Sequence, residues 1–198
     1  KTYEPFGAWQ TDVDAHSGDI LQRINQICFA YGGGTEVEAQ VYGYCDGSTI
    51  TNIPYLTINV SGVGSTTSTA AGTWSINGTG GNRTVTAALA GPYVTVANYN
   101  GAEAAFSGTA QENVPLTVNF TDSNARQDER DTFDAVNDIH AFFDLFDADF
   151  GYTNAHINAY VNRTDGYCPG NAWWDGTINF CAGSTTYADL KASCEAGV

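Results

Sequence analysis

The 198-residue sequence predicts a mainly β fold with one long helix, an α+β arrangement. Short runs of alternating polar and apolar residues recur between Gly, Ser and Thr turns from residue 31 to residue 112. Their spacing is typical of a Greek-key β-sandwich. Helical spacing of apolar residues occurs over residues 126–150. Charged residues make up 15% of the chain, so Gly, Ser, Thr and Asn supply most of its polar surface, as in many extracellular β proteins.

These patterns divide the chain into three predicted segments, residues 1–30, 31–112 and 113–198. The first is predicted to be a β-hairpin, because two strand-like runs flank a turn rich in Asp, Ser and Gly. The second is the β-sandwich, and the third holds the helix between strands. The predicted strands are residues 8–13, 20–24, 37–44, 55–60, 72–76, 83–89, 93–98, 116–121 and 155–161.

The predicted helix over residues 126–150 has an apolar face that we expect to be buried. Asp122, Ser123 or Asn124 is the expected cap at its start, because a short polar side chain can accept a hydrogen bond from the first turn. Gly151 is expected to end the helix. The residues of the apolar face are Phe133, Val136, Ile139 or His140, Phe143, Phe146 and Phe150.

Residues 171–180, NAWWDGTINF, predict a second hairpin. Asp175-Gly176 is a strong signal for a two-residue turn. Such a turn would pair Trp174 with Thr177 and Trp173 with Ile178. Side chains alternate along a strand, so two groups would face opposite sides. These are Trp173, Ile178 and Phe180 toward the core, and Trp174, Thr177, Asn179 and Cys181 away from it.

Five cysteines are candidates for disulfide bonds: Cys28, Cys45, Cys168, Cys181 and Cys194. No CxxC motif or Cys/His cluster suggests a metal site, and a chain of this composition favours disulfides. Five is an odd number, so one thiol is free or pairs between chains. Cys168 lies diagonal to Cys181 on the same predicted hairpin face, which predicts a Cys168–Cys181 bond.

The net charge of −15 argues against binding to nucleic acid, because the seven basic residues are scattered and form no basic patch. No apolar run is long enough to span a membrane. We expect a secreted, extracellular protein. Five sequons give candidate N-glycosylation sites: Asn59, Asn77, Asn82, Asn119 and Asn162.

The sequence contains two groups of residues that bear on metal binding. Asp12, Asp14, His16 and Asp19 form a candidate calcium site. The three carboxylates carry oxygen ligands suited to calcium, although His16 at the fifth position and the spacing do not match an EF-hand loop. None of the three histidines lies in an HExxH motif, so no zinc ligands and no catalytic residues are predicted in this chain. His140 shares a helix face with Asp144, which is too few ligands for a zinc site.

Four stretches together resemble a secreted zinc metallopeptidase of the fungalysin type, related to the thermolysin group. Residues 9–21, WQTDVDAHSGDIL, are similar to the final hairpin of the propeptide in that family. Residues 67–76, TSTAAGTWSI, resemble part of a carboxypeptidase-regulatory-like sandwich. Residues 134–146, DAVNDIHAFFDLF, resemble the helix that opens the peptidase domain, and NAWWDGTINF resembles the edge hairpin before the catalytic helix.

The resemblance implies that Asn171 and Ala172 bind the backbone of a peptide substrate, as an edge strand can. It also implies that residues 113–198 are an incomplete, N-terminal portion of a peptidase domain. The HExxH motif, and with it zinc, is expected only beyond Val198, so these residues alone are not expected to hydrolyse peptides. The family pattern further implies a Cys168–Cys194 disulfide with Cys181 free, in conflict with the pairing predicted from alternation.

The alternative is a self-assembling extracellular subunit of a fibre or surface layer. Open sheet edges could then accept strands from neighbouring copies, with residues 1–7 and 188–198 as donors. The expected partner is therefore either a peptide substrate or a second copy of the chain.

Overall fold

The computed structural model describes residues 9–25, 30–40, 48–146 and 155–183. Fourteen strands and one helix confirm a mainly β fold with a single helix in this part of the chain. The helix is α1 (Gln127–Asp144). The strands are β1 (Trp9–Val13), β2 (Ile20–Asn25), β3 (Ala30–Gln40), β4 (Ser48–Asn52), β5 (Thr57–Val60), β6 (Gly64–Thr67), β7 (Thr73–Asn77), β8 (Arg83–Ala87), β9 (Val94–Asn98), β10 (Phe106–Ala110), β11 (Val118–Phe120), β12 (Ile157–Arg163), β13 (Ala172–Trp174) and β14 (Ile178–Cys181).

The strands form three larger sheets and a separate hairpin. One sheet has the order β10-β8-β5-β6, a second has β11-β3-β4 with β7 also paired to β3, and a third has β13-β14-β12-β9. In the third sheet β12 is parallel to both of its neighbours, while β13 and β14 form an antiparallel hairpin. Strand β13 is therefore the edge of this sheet among the described strands.

The two ends of strand β3 pair with different strands, and a glycine in β3 allows the chain to cross it closely. Its first residues, 30–34, pair with β7, whereas residues 36–40 pair with β4 and residues 35–37 with β11. The chain entering β11 crosses β3 so closely that a Cβ atom on Gly33 would lie 2.0 Å from the backbone oxygen of Leu116. Only a residue without a side chain permits this crossing.

Backbone pairing crosses the predicted boundary between residues 112 and 113 at two places. Strand β11 pairs with β3, and β12 pairs with β9. Helix α1 also packs on β3 and β9. Residues from both sides of the boundary share one hydrophobic core, which runs from Tyr31 and Trp74 to Phe133 and Val161. The division into three domains stays a prediction.

The N-terminal hairpin has the predicted strands, β1 and β2, in antiparallel pairing. The Asp14 carboxylate accepts hydrogen bonds from the backbone N–H groups of His16, at 2.7 Å, and Ser17, at 3.0 Å. The bond from Ser17, which has the larger effect, and the bond from His16 lower the pKa of Asp14. The carboxylate thus stabilises the turn. Throughout the described residues, no three His, Cys, Asp or Glu side chains are placed to hold a metal ion, so the calcium prediction gains no support.

Helix α1 begins at a different cap from those predicted. Arg126 is the N-cap, and its backbone N–H donates to the Glu129 carboxylate at 2.9 Å. The Asn124 side chain instead accepts from the backbone N–H of Thr121 at 2.9 Å. The predicted caps Asp122, Ser123 and Asn124 were wrong because these residues belong to the turn that precedes the helix.

Helix α1 ends earlier than predicted, and its buried face is rotated. Leu145 is the C-cap, whereas residue 150 was the predicted end. Phe133 is buried as predicted, and His140 rather than Ile139 occupies the inner face. Phe143 and Phe146, predicted to be buried, are exposed. Phe150 and Gly151 lie outside the described residues. The buried helix residues are Glu129, Arg130, Thr132, Phe133, Asn137 and His140.

Asp134 on α1 is expected to make stability fall as the pH rises. Burial, and then the nearby Asp138 and Asp131, raise its pKa to about 6. Between about pH 4 and pH 6 the folded state therefore keeps a proton on Asp134 that the unfolded state has released. The contribution of this proton to the free energy of unfolding is complete below about pH 4 and is lost as the pH rises through 6. Asp134→Asn should raise the free energy of unfolding at pH 7 by about 1 kcal/mol, because partial exposure screens the effect.

Urea unfolding at pH values from 4 to 7 measures this difference. The exposed neighbour Asp138 supplies the matched variant, Asp138→Asn, which should change the stability less. Identical pH profiles for Asp134→Asn and the wild-type chain would contradict the prediction.

Candidate functional site

The hairpin of β13 and β14 has a longer turn than predicted. Trp174 pairs with Ile178, and Trp173 pairs with Asn179, so three residues rather than two form the loop. The predicted register was therefore wrong by one residue. Asn179 is completely buried, whereas Phe180, which was predicted to face the core, is exposed.

The Asp175 side chain explains this register. Its carboxylate accepts hydrogen bonds from the Thr177 hydroxyl at 2.7 Å, the Trp173 indole N–H at 3.1 Å and the Asn179 amide at 3.1 Å. These bonds lower the pKa of Asp175, and the bond from Thr177 has the largest effect. Gly176 has a φ of 97°, a conformation that favours glycine. The carboxylate thereby holds a three-residue loop, which overrides the usual two-residue preference of Asp-Gly.

Strand β13 has backbone groups that face outward at the edge of its sheet. The N–H of Cys181 donates to the carbonyl of Asn171 at 3.0 Å, and the N–H of Asp175 donates to the carbonyl of Thr177 at 3.3 Å. Backbone groups alternate in direction along an antiparallel strand, so those of Ala172 and Trp174 point away from β14. This arrangement can accept an extended chain by strand addition.

Asn171 lies directly before this edge strand. Its side-chain oxygen accepts a hydrogen bond from the backbone N–H of Ala172 at 2.9 Å. Both residues are exposed and line a groove of about 700 Å³, which also includes Pro169, Gly170 and Cys181. Ala172 is the only residue of β13 in the lining, so the groove lies at the start of the edge strand.

Arg163 packs against the hairpin of β13 and β14 through Trp173 and Asn179. Its guanidinium lies over the rings of Tyr99, at 4.4 Å, and Trp173, at 4.8 Å, and donates to the side-chain oxygen of Asn179. It also donates two hydrogen bonds to Asp165, at 2.8 and 2.9 Å. Arg163 and then Tyr99 lower the pKa of Asp165 to about 2. The stacked cation and its carboxylate fix one face of the edge strand.

Sequence reasoning missed this cluster. Arg163, Tyr99 and Trp173 are far apart in sequence and share no recognisable spacing. The only available signal was a single arginine, two residues beyond the strand predicted over residues 155–161, in a chain that has few basic residues. Such a residue needs a partner, but its partners become visible only in the folded sheet.

The disulfide joins Cys168 to Cys181, with a Cα–Cα distance of 5.4 Å. The pairing predicted from strand alternation is thus confirmed. The Cys168–Cys194 bond implied by the resemblance was wrong, because Cys181 is the partner of Cys168. Cys28, Cys45 and Cys194 lie outside the described residues. The bond connects the end of β14 to the segment before β13 and so holds the groove at one end.

The five sequons occupy different environments. Asn162 is partly buried, has a φ of 56°, and donates from its side-chain amide to Asn98 at 2.9 Å. A glycan on that nitrogen would remove this hydrogen bond. The four other asparagines are exposed: Asn59, Asn77, Asn82 and Asn119.

The chain matches no protein-family model, no curated protein and no solved structure. In the described part of the chain, no helix is long and apolar enough to cross a membrane.

Proposed function

We propose that the edge strand β13 binds an extended peptide by strand addition, with Asn171 and Ala172 as contact residues. The outward direction of the backbone groups of Ala172 and Trp174 carries this proposal. The two neighbouring pairs to β14 fix that direction, and the Arg163 stack and the disulfide hold the strand in place.

The domain that carries this strand is, in this proposal, derived from a secreted zinc metallopeptidase of the fungalysin type. The stretches NAWWDGTINF and DAVNDIHAFFDLF support it, as does an intramolecular disulfide, which persists in oxidising compartments. The 198 residues contain no HExxH motif. Peptide binding, rather than hydrolysis, is therefore the activity that we propose for them.

A pair of variants at Trp174 tests the proposal. The probe is a capped, fluorescein-labelled Gly-Leu-Val-Phe-Ala-Gly peptide, and fluorescence anisotropy measures its binding to the full chain. Trp174→Pro removes an outward N–H without touching the bonds to β14, since proline is tolerated on sheet edges. Affinity should fall at least about fivefold, the effect of one hydrogen bond of about 1 kcal/mol.

Trp174→Thr is the matched control, because it removes the same exposed ring but keeps the N–H. It should bind more tightly than Trp174→Pro. A second control is the same peptide with alternate backbone nitrogens methylated, which cannot pair as a strand. Equal binding of both peptides, or of both variants, would contradict strand addition.

Self-assembly is the second candidate function, and the N-terminal hairpin favours it. Strands β1 and β2 pair with no other described strand, while Val13, Ile20 and Leu21 on them are exposed. A two-stranded hairpin alone is marginally stable and gains from a covering partner. Sedimentation velocity of the same Trp174 variants separates the two functions. Concentration-dependent association that Trp174→Pro alone abolishes would assign β13 to copies of the chain rather than to peptides.

A further inference from the structure

Helix α1 has an exposed apolar stripe on the side opposite its buried face. Ile139 and Phe142 are each 56% exposed, and Phe146, two residues past the helix end, is 74% exposed. The rings of Phe142 and Phe146 contact each other, with centroids 5.1 Å apart. The buried face of the helix packs on β3, β9 and β12, so the stripe lies on the outward side. A contiguous group of large exposed apolar side chains, unlike a single one, marks an interaction surface.

The spacing of the stripe is that of a contact between two helices. Ala135, Ile139, Phe142 and Phe146 follow one another at intervals of four, three and four residues. This alternation is the apolar seam of a coiled coil, in which one helix packs its side chains between those of another. Ala135, Ile139 and Phe142 also line a groove of about 1110 Å³, together with Ala39 of β3. A helix, rather than an extended strand, is therefore the form of partner that suits this face.

Carboxylates border the stripe along one side. Asp131 and Asp138 occupy the positions next to the seam, where charged side chains set the choice of partner in coiled coils. Asp134 lines the same groove, and burial, followed by the charges of Asp138 and Asp131, raises its pKa to about 6. The described residues that line the groove include no Lys or Arg. This border attracts a cationic partner and repels an acidic one.

The chain itself offers no partner of the required charge. A second copy would bring the same carboxylates to the contact, and each copy carries a net charge of −15. The stretches outside the described residues have no net positive side-chain charge either. They are residues 1–8, 26–29, 41–47, 147–154 and 184–198. Charge complementarity therefore indicates a different protein.

We propose that this stripe of α1 binds an amphipathic, cationic helix of another protein. Ile139 and Phe142 make the apolar contact, and Asp138 faces a Lys or Arg of the partner. The seam is less than two heptads long, so we expect a dissociation constant of about micromolar order. The site uses a different element and a different binding mode from strand addition at β13, so either proposal can fail without the other.

Fluorescence anisotropy of a labelled peptide, titrated with the full chain, tests the site. The probe is a capped helix of three Lys-Ile-Ala-Ala-Leu-Lys-Lys heptads, and the matched peptide has Glu in place of every Lys. We expect saturable binding of one cationic peptide per chain and no binding of the Glu peptide at the same concentrations. Phe142→Gln and Asp138→Lys should each weaken binding at least about tenfold. Both residues are exposed, and circular dichroism checks that each variant is folded.

Two variants on the N-terminal hairpin are matched controls. Leu21→Gln and Asp19→Lys make the same kinds of change at exposed residues and should bind the cationic peptide as the wild type does. The strand-edge variant Trp174→Pro should also bind it normally. Equal weakening by Asp138→Lys and Asp19→Lys would overturn the proposal, because the peptide would then respond only to the net charge of the chain.

Equal binding of the Lys and Glu peptides would overturn the proposal as well, since the contact would then be apolar only. Absence of saturable binding to the wild-type chain would show that the stripe is covered by the chain itself or by a second copy. Sedimentation velocity of the wild-type chain and of Phe142→Gln separates these two outcomes, both of which contradict the proposal.

Discussion

Replacing Arg130 by methionine is expected to lower the free energy of unfolding by about 3 kcal/mol or more. The Arg130 side chain is completely buried. It donates from Nε to the carbonyl of Glu38 at 2.7 Å and from Nη1 to the carbonyl of Ala125 at 2.7 Å. Methionine preserves most of the volume but leaves these two acceptors without a donor. The first bond also joins α1 to β3, so its loss separates helix from sheet.

Arg126 provides the control for Arg130. It forms an ion pair with Asp128 at 2.9 Å, but its side chain is 47% exposed. Arg126→Met should therefore cost less than about 1 kcal/mol. Urea unfolding followed by tryptophan fluorescence compares the two variants. If Arg130→Met is as stable as Arg126→Met, the buried guanidinium is not what joins the helix to the sheets.

Replacing Gly33 by alanine is expected to destabilise the chain by at least about 2 kcal/mol. The new Cβ would lie 2.0 Å from the Leu116 oxygen and 2.7 Å from its nitrogen. These are backbone atoms, so they cannot rotate away, and β3 would have to move from the segment that enters β11. The N–H of Leu116, which donates to the carbonyl of Gly32 at 2.9 Å, would lose its alignment.

The adjacent glycine is a stringent control. A Cβ on Gly34 would meet no atom closer than 4.0 Å. Gly34→Ala should therefore be neutral or slightly stabilising, because alanine restricts the unfolded chain more than glycine does. Thermal unfolding of the two variants gives the comparison. Equal melting temperatures would show that the crossing of β3 and β11 tolerates a side chain.

The strands with regular alternation were predictable from sequence, while the polar strands were not. Strands β5, β7, β8 and β9 follow runs of alternating residues, and each was predicted to within a few residues. Strands β4, β6 and β10 were missed, because Ser, Thr and Gly give them no apolar period. Pairing with neighbouring strands, rather than local pattern, forms these three.

Helix α1 was predictable as an element, but its caps and buried face were not. The helical spacing of apolar residues indicates a helix, yet phenylalanines lie on two sides of that helix. Which side is buried depends on Arg130 and Glu129, whose hydrogen bonds reach β3 and the chain before the helix. Such contacts between distant residues leave no periodic signal, so Glu129, Arg130 and Asn137 were not expected to face inward, whereas His140 was one of two alternatives for the buried face.

The candidate site was located by resemblance, and its geometry came from the fold. Asn171 and Ala172 were identified from the motif, while the register of the hairpin followed from the Asp175 side chain. Alternation nonetheless predicted the Cys168–Cys181 bond. In the observed register Cys181 shares a face with Trp173, so strict alternation would place Cys168 on the opposite face. The bond can form because Cys168 lies before β13, where strand alternation does not apply.

Hydrogen exchange at two neighbouring amides tests the strand-addition site most directly. The N–H of Trp174 points away from β14, whereas Trp173 is paired with Asn179. Amide exchange of the full chain is compared with and without the Gly-Leu-Val-Phe-Ala-Gly peptide. We predict that the peptide slows exchange at Trp174 severalfold and leaves Trp173 unchanged. If exchange at Trp174 is unchanged at a peptide concentration that saturates the anisotropy signal, the peptide binds elsewhere and β13 is not its site.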